Sequence, residues 1–128
     1  MEYKIDICYH ARANKYLKKI NQNERNEIML LIDNRIKGYI ENNDRRYIHQ
    51  DAFFSKLGNF DSTVYYLRLN FKDRVILSID EDPIFEKIIV NIFTICNHDK
   101  LNAEIDSIME SLYQKMINDE TYDKEEDE

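Results

Sequence analysis

Residues 63–95 read TVYYLRLNFKDRVILSIDEDPIFEKIIVNIFTI, and this stretch decides the fold class. β-Branched and aromatic residues dominate it, and polar breaks at residues 72–73 and 81–83 divide it into three runs. Such runs are typical of strands joined by tight turns, so the pattern predicts a three-stranded meander. The last run, residues 87–95, is apolar at nearly every position. It therefore predicts a central strand that is covered on both faces.

The residues before this stretch predict one strand and a hairpin of two helices. Residues 3–8 alternate between apolar and polar side chains, as a half-buried strand does. Residues 11–20 and 24–41 carry apolar residues at helical spacing, and Asn23 is the expected N-cap of the second helix. The short break between them predicts that the helices pack as a hairpin. Residues 42–52 are polar without a clear period and predict a loop.

Two further segments lie on either side of the meander. From residue 53 the pattern shifts from loop to strand signals, and residues 101–117 return to helical spacing. The predicted fold class is therefore α+β in the order β-α-α-β-β-β-α. A helix hairpin packs on a mostly antiparallel four-stranded sheet, and a helix follows at the C-terminal side.

The charge of the chain is unevenly distributed. Its 128 residues carry a net charge of −7, but residues 118–128 hold seven acids and one lysine, which leaves −1 for residues 1–117. We expect one domain over 1–117, followed by a disordered acidic tail over 118–128. A nearly neutral body does not exclude a nucleic acid as partner, although the whole-chain charge suggests otherwise.

The cysteine content and the hydropathy of the chain limit its expected cofactors and its expected location in the cell. Cys8 and Cys96 are too few for a disulfide framework and stand in no zinc-ligand spacing, so neither a metal site nor a cofactor is expected. No apolar run approaches the roughly 18 residues that cross a bilayer, and no signal peptide opens the chain. These features predict a soluble, cytoplasmic protein without a membrane partner.

Four short segments, in this order, carry a resemblance to a known family. They are Lys56-Leu57-Gly58; Tyr65-Tyr66-Leu67-Arg68-Leu69; Asp73-Arg74-Val75-Ile76-Leu77, followed by acids at 80–82; and Cys96-Asn97-His98-Asp99-Lys100-Leu101. Together with the predicted order of elements, they resemble the RelE/ParE superfamily of bacterial toxins over roughly residues 1–105. The likeness is to mRNA interferases of type II toxin–antitoxin systems, such as the RelE-, YafQ- and HigB-like members.

The resemblance implies an endoribonuclease that cuts mRNA, often on the ribosome, and that a cognate antitoxin neutralises. It also leaves a second reading open, because ParE-like members inhibit DNA gyrase and carry no comparable catalytic set. A non-catalytic binding protein or a degenerate toxin on the same fold is therefore the alternative. A third reading, an acidic mimic of nucleic acid, is weakened because the acids concentrate in the tail.

Metal-free RNA cleavage requires a stabilised phosphate and a proton donor for the leaving oxygen. Arginine suits the phosphate because its planar fork binds two oxygens at once, and histidine suits proton transfer near neutral pH. By resemblance, the catalytic candidates are Arg68, Arg74 and His98. A two-residue turn centred on residues 72–73 would pair Phe71 with Arg74 and leave Arg68 diagonally near Leu77. Because the register is open, the sequence does not decide whether the arginines share a face.

Other side chains are candidates for holding the substrate. The adjacent tyrosines at 65 and 66 point to opposite faces of a strand, so one is expected in the core while the other is free to stack on a base. The substrate-binding candidates are Lys56, Tyr66, Lys100 and His49.

Each candidate residue can also be explained by a structural role without any function. Arg68 and Arg74 would then be solvated or salt-bridged, Asp99 beside His98 would cap the following helix, and His49 would be a polar loop residue. Acidic residues at 73 and 80–82 are expected to crowd the proposed site. The tail is a candidate to occupy the basic face until it is displaced.

Overall fold

The computed structural model describes residues 3–49 and 64–126. They form two compact units, which divide between His98 and Asp99. The strand signals at 53–57 and the Lys56-Leu57-Gly58 segment lie outside the described residues. The domain boundary expected at residue 117 stays a prediction.

The described part of the first unit contains five strands and two helices. These are β1 (Lys4–Tyr9), α1 (Ala11–Lys19), α2 (Gln22–Asn42), β2 (Ile48–His49), β3 (Val64–Arg68), β4 (Asp73–Asp82) and β5 (Lys87–Asn97). A single 3-10 turn, His98–Lys100, leads from β5 into α3 (Leu101–Glu126) of the second unit. None of the described helices is long and apolar enough to span a membrane.

The five strands form one sheet in the order β1-β5-β4-β3-β2. β1 pairs parallel to β5, and every other neighbouring pair is antiparallel. The predicted meander is the β3-β4-β5 part of this sheet. β5 lies inside the sheet, between β1 and β4, whereas β4 is the central strand. The mixed α+β class is confirmed.

The predicted four-stranded sheet needs correction, because a fifth strand lies inside the segment that was predicted as a loop. Ile48 pairs with Leu67 and His49 pairs with Tyr66. A two-residue strand is too short to show alternation, so only its partner in the sheet defines it. Its backbone bonds satisfy the outer edge of β3 and place His49 beside Tyr66.

One face of the sheet packs against the α1–α2 hairpin and forms the core. Arg25 of α2 donates from Nε to the Leu17 carbonyl of α1 at 2.9 Å, which ties the two helices together. A bulge in β5 makes Phe93 an extra residue, so that Ile92 and Ile95 both face the core. The buried core residues are Ala13, Leu17, Ile32, Ile36, Ile48, Leu67, Leu69, Val75, Leu77, Ile88, Val90, Ile92 and Ile95.

The ends of the helices differ from the predicted ones. Asn21, and not Asn23, is the N-cap of α2, where its Oδ1 accepts a hydrogen bond from the backbone N–H of Glu24 at 2.8 Å. Residues 21–23 are all polar, and the sequence pattern did not show at which of them the helix begins. α3 continues to Glu126, beyond the end predicted near residue 117, because no glycine or proline stops it.

Candidate functional site

The two candidate arginines lie directly opposite each other on neighbouring strands. Arg68 at the end of β3 pairs with Arg74 near the start of β4. Opposed residues of an antiparallel pair point to the same face, with Cβ atoms roughly 5 Å apart. The pairing expected from a two-residue turn was wrong by three residues, and an odd shift of this kind moves side chains to the other face. The observed register places both guanidinium groups on the face opposite the helix hairpin.

Asn70 accounts for this register, because its side chain builds a wider turn than the sequence suggested. Its Oδ1 accepts the backbone N–H groups of Lys72 and Asp73, both at 2.8 Å. The Leu69 N–H then bonds to the Asp73 carbonyl at 3.0 Å and closes the loop. An asparagine side chain of this kind replaces a backbone acceptor in a turn. The turn therefore fixes which residues of β3 and β4 face each other.

Arg74 is held by the same turn. Its Nη1 donates to the Asn70 carbonyl at 2.7 Å and to the Asp73 carbonyl at 3.1 Å. Arginine has five N–H donors, and these two bonds use the pair on Nη1. Nε and Nη2 have no hydrogen-bond partner among the described residues, so three donors are available to an anion. The half-buried Arg74 side chain is thus oriented by protein carbonyls while most of its fork stays open.

Arg68 is exposed, and its guanidinium forms no ion pair with any residue that the structure describes. Its backbone is firmly held. The Arg68 N–H donates to the Tyr47 carbonyl at 2.8 Å, and its carbonyl accepts from Arg35 Nη1. Among the described residues the salt-bridged reading of the two arginines does not apply, whereas the solvated reading fits the exposed Arg68.

Arg35 of α2 is a component of the site that the sequence did not single out. Its Nη1 also donates to the Leu69 carbonyl at 2.7 Å, and its guanidinium lies 3.9 Å from the centre of the Tyr47 ring. Burial lowers the pKa of Arg35, and the charge of Arg68 lowers it further, although Tyr47 acts in the opposite direction. The sequence showed only that Arg35 falls among the apolar positions of α2. Helical periodicity cannot show that such a residue contacts β3.

Tyr66 and His49 extend the arginine face along the sheet. Tyr66 stands two residues before Arg68 on the same face, and its ring centre lies 5.3 Å from that of His49 at 37°. Tyr65 points the other way and packs in the core, where its ring centre lies 5.8 Å from that of Tyr39. The structure therefore assigns the two tyrosines to opposite faces, as predicted. His49 belongs to a strand and not to a loop.

His98 continues the same corner of the sheet through its backbone. The His98 N–H donates to the Lys72 carbonyl at 2.7 Å, and Arg74 pairs with Cys96 on β5. His98 therefore lies just past the end of β5, at the same corner of the sheet as Arg74. Lys72 adds an exposed positive charge at this corner. Lys100 is exposed in the second unit, and Lys56 lies outside the described residues.

The acidic residues do not crowd this corner, contrary to the expectation from the sequence. Asp73 faces the helices, where the Tyr16 hydroxyl donates to its carboxylate; burial, followed by the charge of Asp73, raises the pKa of Tyr16. Asp80 lies six residues along β4 from Arg74, which corresponds to roughly 20 Å. Alternation along a strand and the length of β4 thus separate the acids from the arginines.

The described residues contain no group of three or more histidine, cysteine or acidic side chains that could hold a metal ion. Cys8 is exposed and Cys96 is buried, and neither forms a disulfide bond with another described residue. The side chains described at this corner supply fixed positive charge, aromatic faces and imidazole.

Comparison with known proteins supports the fold. No protein-family model matches the chain, and no curated protein matches it. Among solved structures, it is similar to the YoeB dimer from Staphylococcus aureus, with a TM-score of 0.50 and 16% sequence identity. The match covers 74% of this chain and 97% of that one. The chain thus shares the overall fold of that structure.

Proposed function

We propose that this chain is an endoribonuclease of the toxin–antitoxin type that cuts mRNA. The observation that carries the proposal is the Arg68–Arg74 pair. The two arginines stand at directly opposed positions on one face of the sheet, and neither forms an ion pair with a described acid. Like charges in this arrangement disfavour the folded state unless a counter-ion binds between them. A phosphodiester supplies that counter-ion and presents oxygens to both forks.

In the proposed reaction, the ribose 2′-hydroxyl loses its proton to a water molecule as its oxygen attacks the adjacent phosphorus, and the bond from phosphorus to the 5′-oxygen breaks. The products are a 2′,3′-cyclic phosphate and a 5′-hydroxyl. Arg68 and Arg74 stabilise the charge that develops on the non-bridging oxygens. His98 gives a proton to the departing 5′-oxygen, because an imidazole is the side chain best matched to this task near neutral pH.

The aromatic pair beside the arginines is the proposed position of a base. Tyr66 is half-buried and His49 is exposed, so one face of this pair is accessible for stacking. An RNA strand would then place a phosphate on Arg68 and Arg74 and the neighbouring base on Tyr66. Lys56 and Lys100 are further proposed contacts with the RNA backbone. The proposed partners are mRNA, including ribosome-bound mRNA, and a cognate antitoxin that covers this face; the proposed setting is the cytoplasm.

The test is cleavage of RNA by the wild type and by the variants Arg74→Ala and His98→Ala, with RNA supplied both free and on translating ribosomes. Lys18→Ala, an exposed lysine at the end of α1, is the control for loss of one positive charge. We expect each site variant to lose about 10²-fold in rate and the control to keep it. A wild type that leaves both kinds of RNA intact would contradict the proposal.

One observation favours a non-catalytic binding protein as the second candidate. Arg74 already donates two hydrogen bonds to turn carbonyls, so it contributes to the structure without any substrate. In that case, expression of the wild type arrests growth without RNA cleavage, and Arg74→Ala lowers the melting temperature as its main effect.

A further inference from the structure

The end of the sheet remote from the arginines carries an open groove of about 1010 Å³. It lies on the face that packs against the helix hairpin, past the last turn of α2. Its apolar surface consists of isoleucine and tyrosine side chains: Tyr3, Ile5, Tyr39, Ile40, Tyr65, Ile79 and Ile88. The core face of the sheet therefore extends beyond the helices that cover the rest of it.

The turn between β4 and β5 adds two large apolar side chains at the same end. Ile84 is 83% exposed and Phe85 is 68% exposed. The turn is well defined, because Asp82 Oδ1 accepts the backbone N–H of Ile84 at 3.2 Å and that of Phe85 at 3.3 Å. Its last residue, Glu86, has a φ of 53°, a left-handed conformation that is uncommon for this residue type. Folding thus holds two hydrophobic residues in water, which usually marks a binding surface.

Charge at this end is negative on the groove side, where four acids outnumber one arginine, Arg45, whose Nε donates to Asn43 Oδ1 of the groove at 3.1 Å. Glu41 and Glu81 are the charged residues among those lining the groove, and Asp82 and Glu86 flank the exposed pair. The two lysines nearby, Lys4 and Lys87, both lie on Asp6, with Nζ to carboxylate distances of 4.0 and 3.9 Å. Lys4 and Asp6 alternate with the groove residues Tyr3 and Ile5 along β1, so this ion-paired group belongs to the other face.

We propose that this acidic end, defined by the groove and residues 81–86, docks a basic amphipathic segment of a partner protein. The apolar side chains of the segment would fill the groove and cover Ile84 and Phe85, and its lysines or arginines would pair with Glu41 and Glu81. Charge decides the class of partner: the carboxylates repel RNA and anionic lipid, and they attract a cationic peptide. The proposal does not depend on whether the chain cleaves RNA.

The probe is a synthetic 18-residue helical peptide of leucine and lysine with one apolar face, added to the isotopically labelled full-length chain. The matched peptide carries glutamate in place of lysine. We expect backbone NMR shifts at the groove residues and in residues 83–86 with the lysine peptide alone. Phe85→Ser should weaken binding about tenfold, and Glu81→Gln should reduce its dependence on salt.

Phe71 provides the matched control, because it is also a turn phenylalanine, 74% exposed, at the arginine end of the molecule. Phe71→Ser should leave the affinity unchanged, and circular dichroism should show both variants folded. Equal weakening by Phe71→Ser overturns the proposal, as do shifts confined to residues 118–128 and equal binding of the glutamate peptide. It is also overturned if the chain alone self-associates in sedimentation and Phe85→Ser dissociates it, because the occupant is then a second copy.

Discussion

The two turns at the ends of β4 are built alike and present opposite chemistry. At one end Asn70 accepts two backbone N–H groups through Oδ1, and at the other end Asp82 does the same. The first turn orients Arg74 beside Arg68, whereas the second exposes Ile84 and Phe85 among acids. When one side chain accepts the backbone N–H groups of a turn, few of the other residues in the turn are needed to form it. The residues around it are then available for a surface function.

This comparison also explains why the net charge of −7 is a poor guide to the partners of this protein. β4 is ten residues long, so its two ends lie roughly 30 Å apart, several times the distance over which salt screens a charge. A ligand at one end is therefore little affected by charges at the other. The arginine corner should bind an anion despite the acids elsewhere in the chain.

The largest expected effect comes from removing the arginine pair. Arg68→Ala and Arg74→Ala should each slow RNA cleavage about 10²-fold, and the double variant should lose less than the product because both act on one phosphate. Arg68→Lys should recover only part of the rate, since lysine keeps the charge but not the fork. A double-mutant cycle on single-turnover rates measures this coupling. Strictly multiplicative losses would mean that the two arginines act at separate places.

Arg35 should matter next, through its two bonds to carbonyls of β3. Arg35→Met leaves those carbonyls without their donor and should lower the free energy of unfolding by about 1–3 kcal/mol. It should also reduce the single-turnover rate more than it raises KM, because Arg68 then projects from a looser backbone. Arg25→Met is the matched control: it breaks a similar bond, to the Leu17 carbonyl, far from the site. If both variants lose stability and keep the same cleavage rate, Arg35 is only structural.

Substitutions in the two turns test whether the two ends of β4 act independently. Asn70→Ala and Asp82→Ala should each cost about 1 kcal/mol, because each removes an acceptor for two N–H groups. Asn70→Ala should then impair RNA cleavage and leave docking of the leucine–lysine peptide intact, and Asp82→Ala should do the reverse. The two assays are run on both variants. An equal effect of both substitutions on both assays would show that the ends are not independent.

The sequence was sufficient to predict most of the helices and strands, but it was insufficient to predict how the strands pair. Alternating and helical periods located β1, both helices of the hairpin and the meander, because a face buried against a core leaves that trace in composition. The opposition of Arg68 and Arg74 depended instead on one hydrogen-bonding side chain, Asn70, and the extra residue in β5 depended on fitting Ile92 and Ile95 to one core. Neither leaves a periodic signal.

Residues that act through contacts between elements were equally hidden. Arg35 contacts carbonyls 33 and 34 residues away, and β2 exists only as a partner of β3. Such positions resemble ordinary surface or loop residues until the chain is folded. Arg68 and Arg74 were named because their segments resemble the RelE/ParE family, and Tyr66 because neighbouring residues of a strand face opposite ways. Their roles in a functional site stay predictions.

The smallest expected effect is a dependence of stability on pH. It arises away from both ends of β4. Burial, followed by the charge of Asp33, raises the pKa of Tyr9 from 10.0 to about 12. The raised value means that folding favours the neutral phenol, so this contribution is full below pH 10 and is lost as pH rises towards 12. Tyr9→Phe should flatten the fall of melting temperature across that window, whereas Tyr3→Phe, at an exposed tyrosine, should not. If the melting temperatures of Tyr9→Phe and the wild type fall in parallel, the loss of stability at alkaline pH is due to other groups.

The most direct measurement of the central claim follows the arginine side chains by NMR while RNA is added. The titrant is a short oligonucleotide with a 2′-deoxy sugar at the cleavage position, so that it binds without reacting. The Nε–Hε signals of Arg68 and Arg74 should shift together and saturate. That of Arg46, a nearby arginine paired with Asp44 at 2.7 Å, should stay in place. Shifts at Arg46 without shifts at Arg68 and Arg74 would contradict the assignment of the phosphate site to this pair.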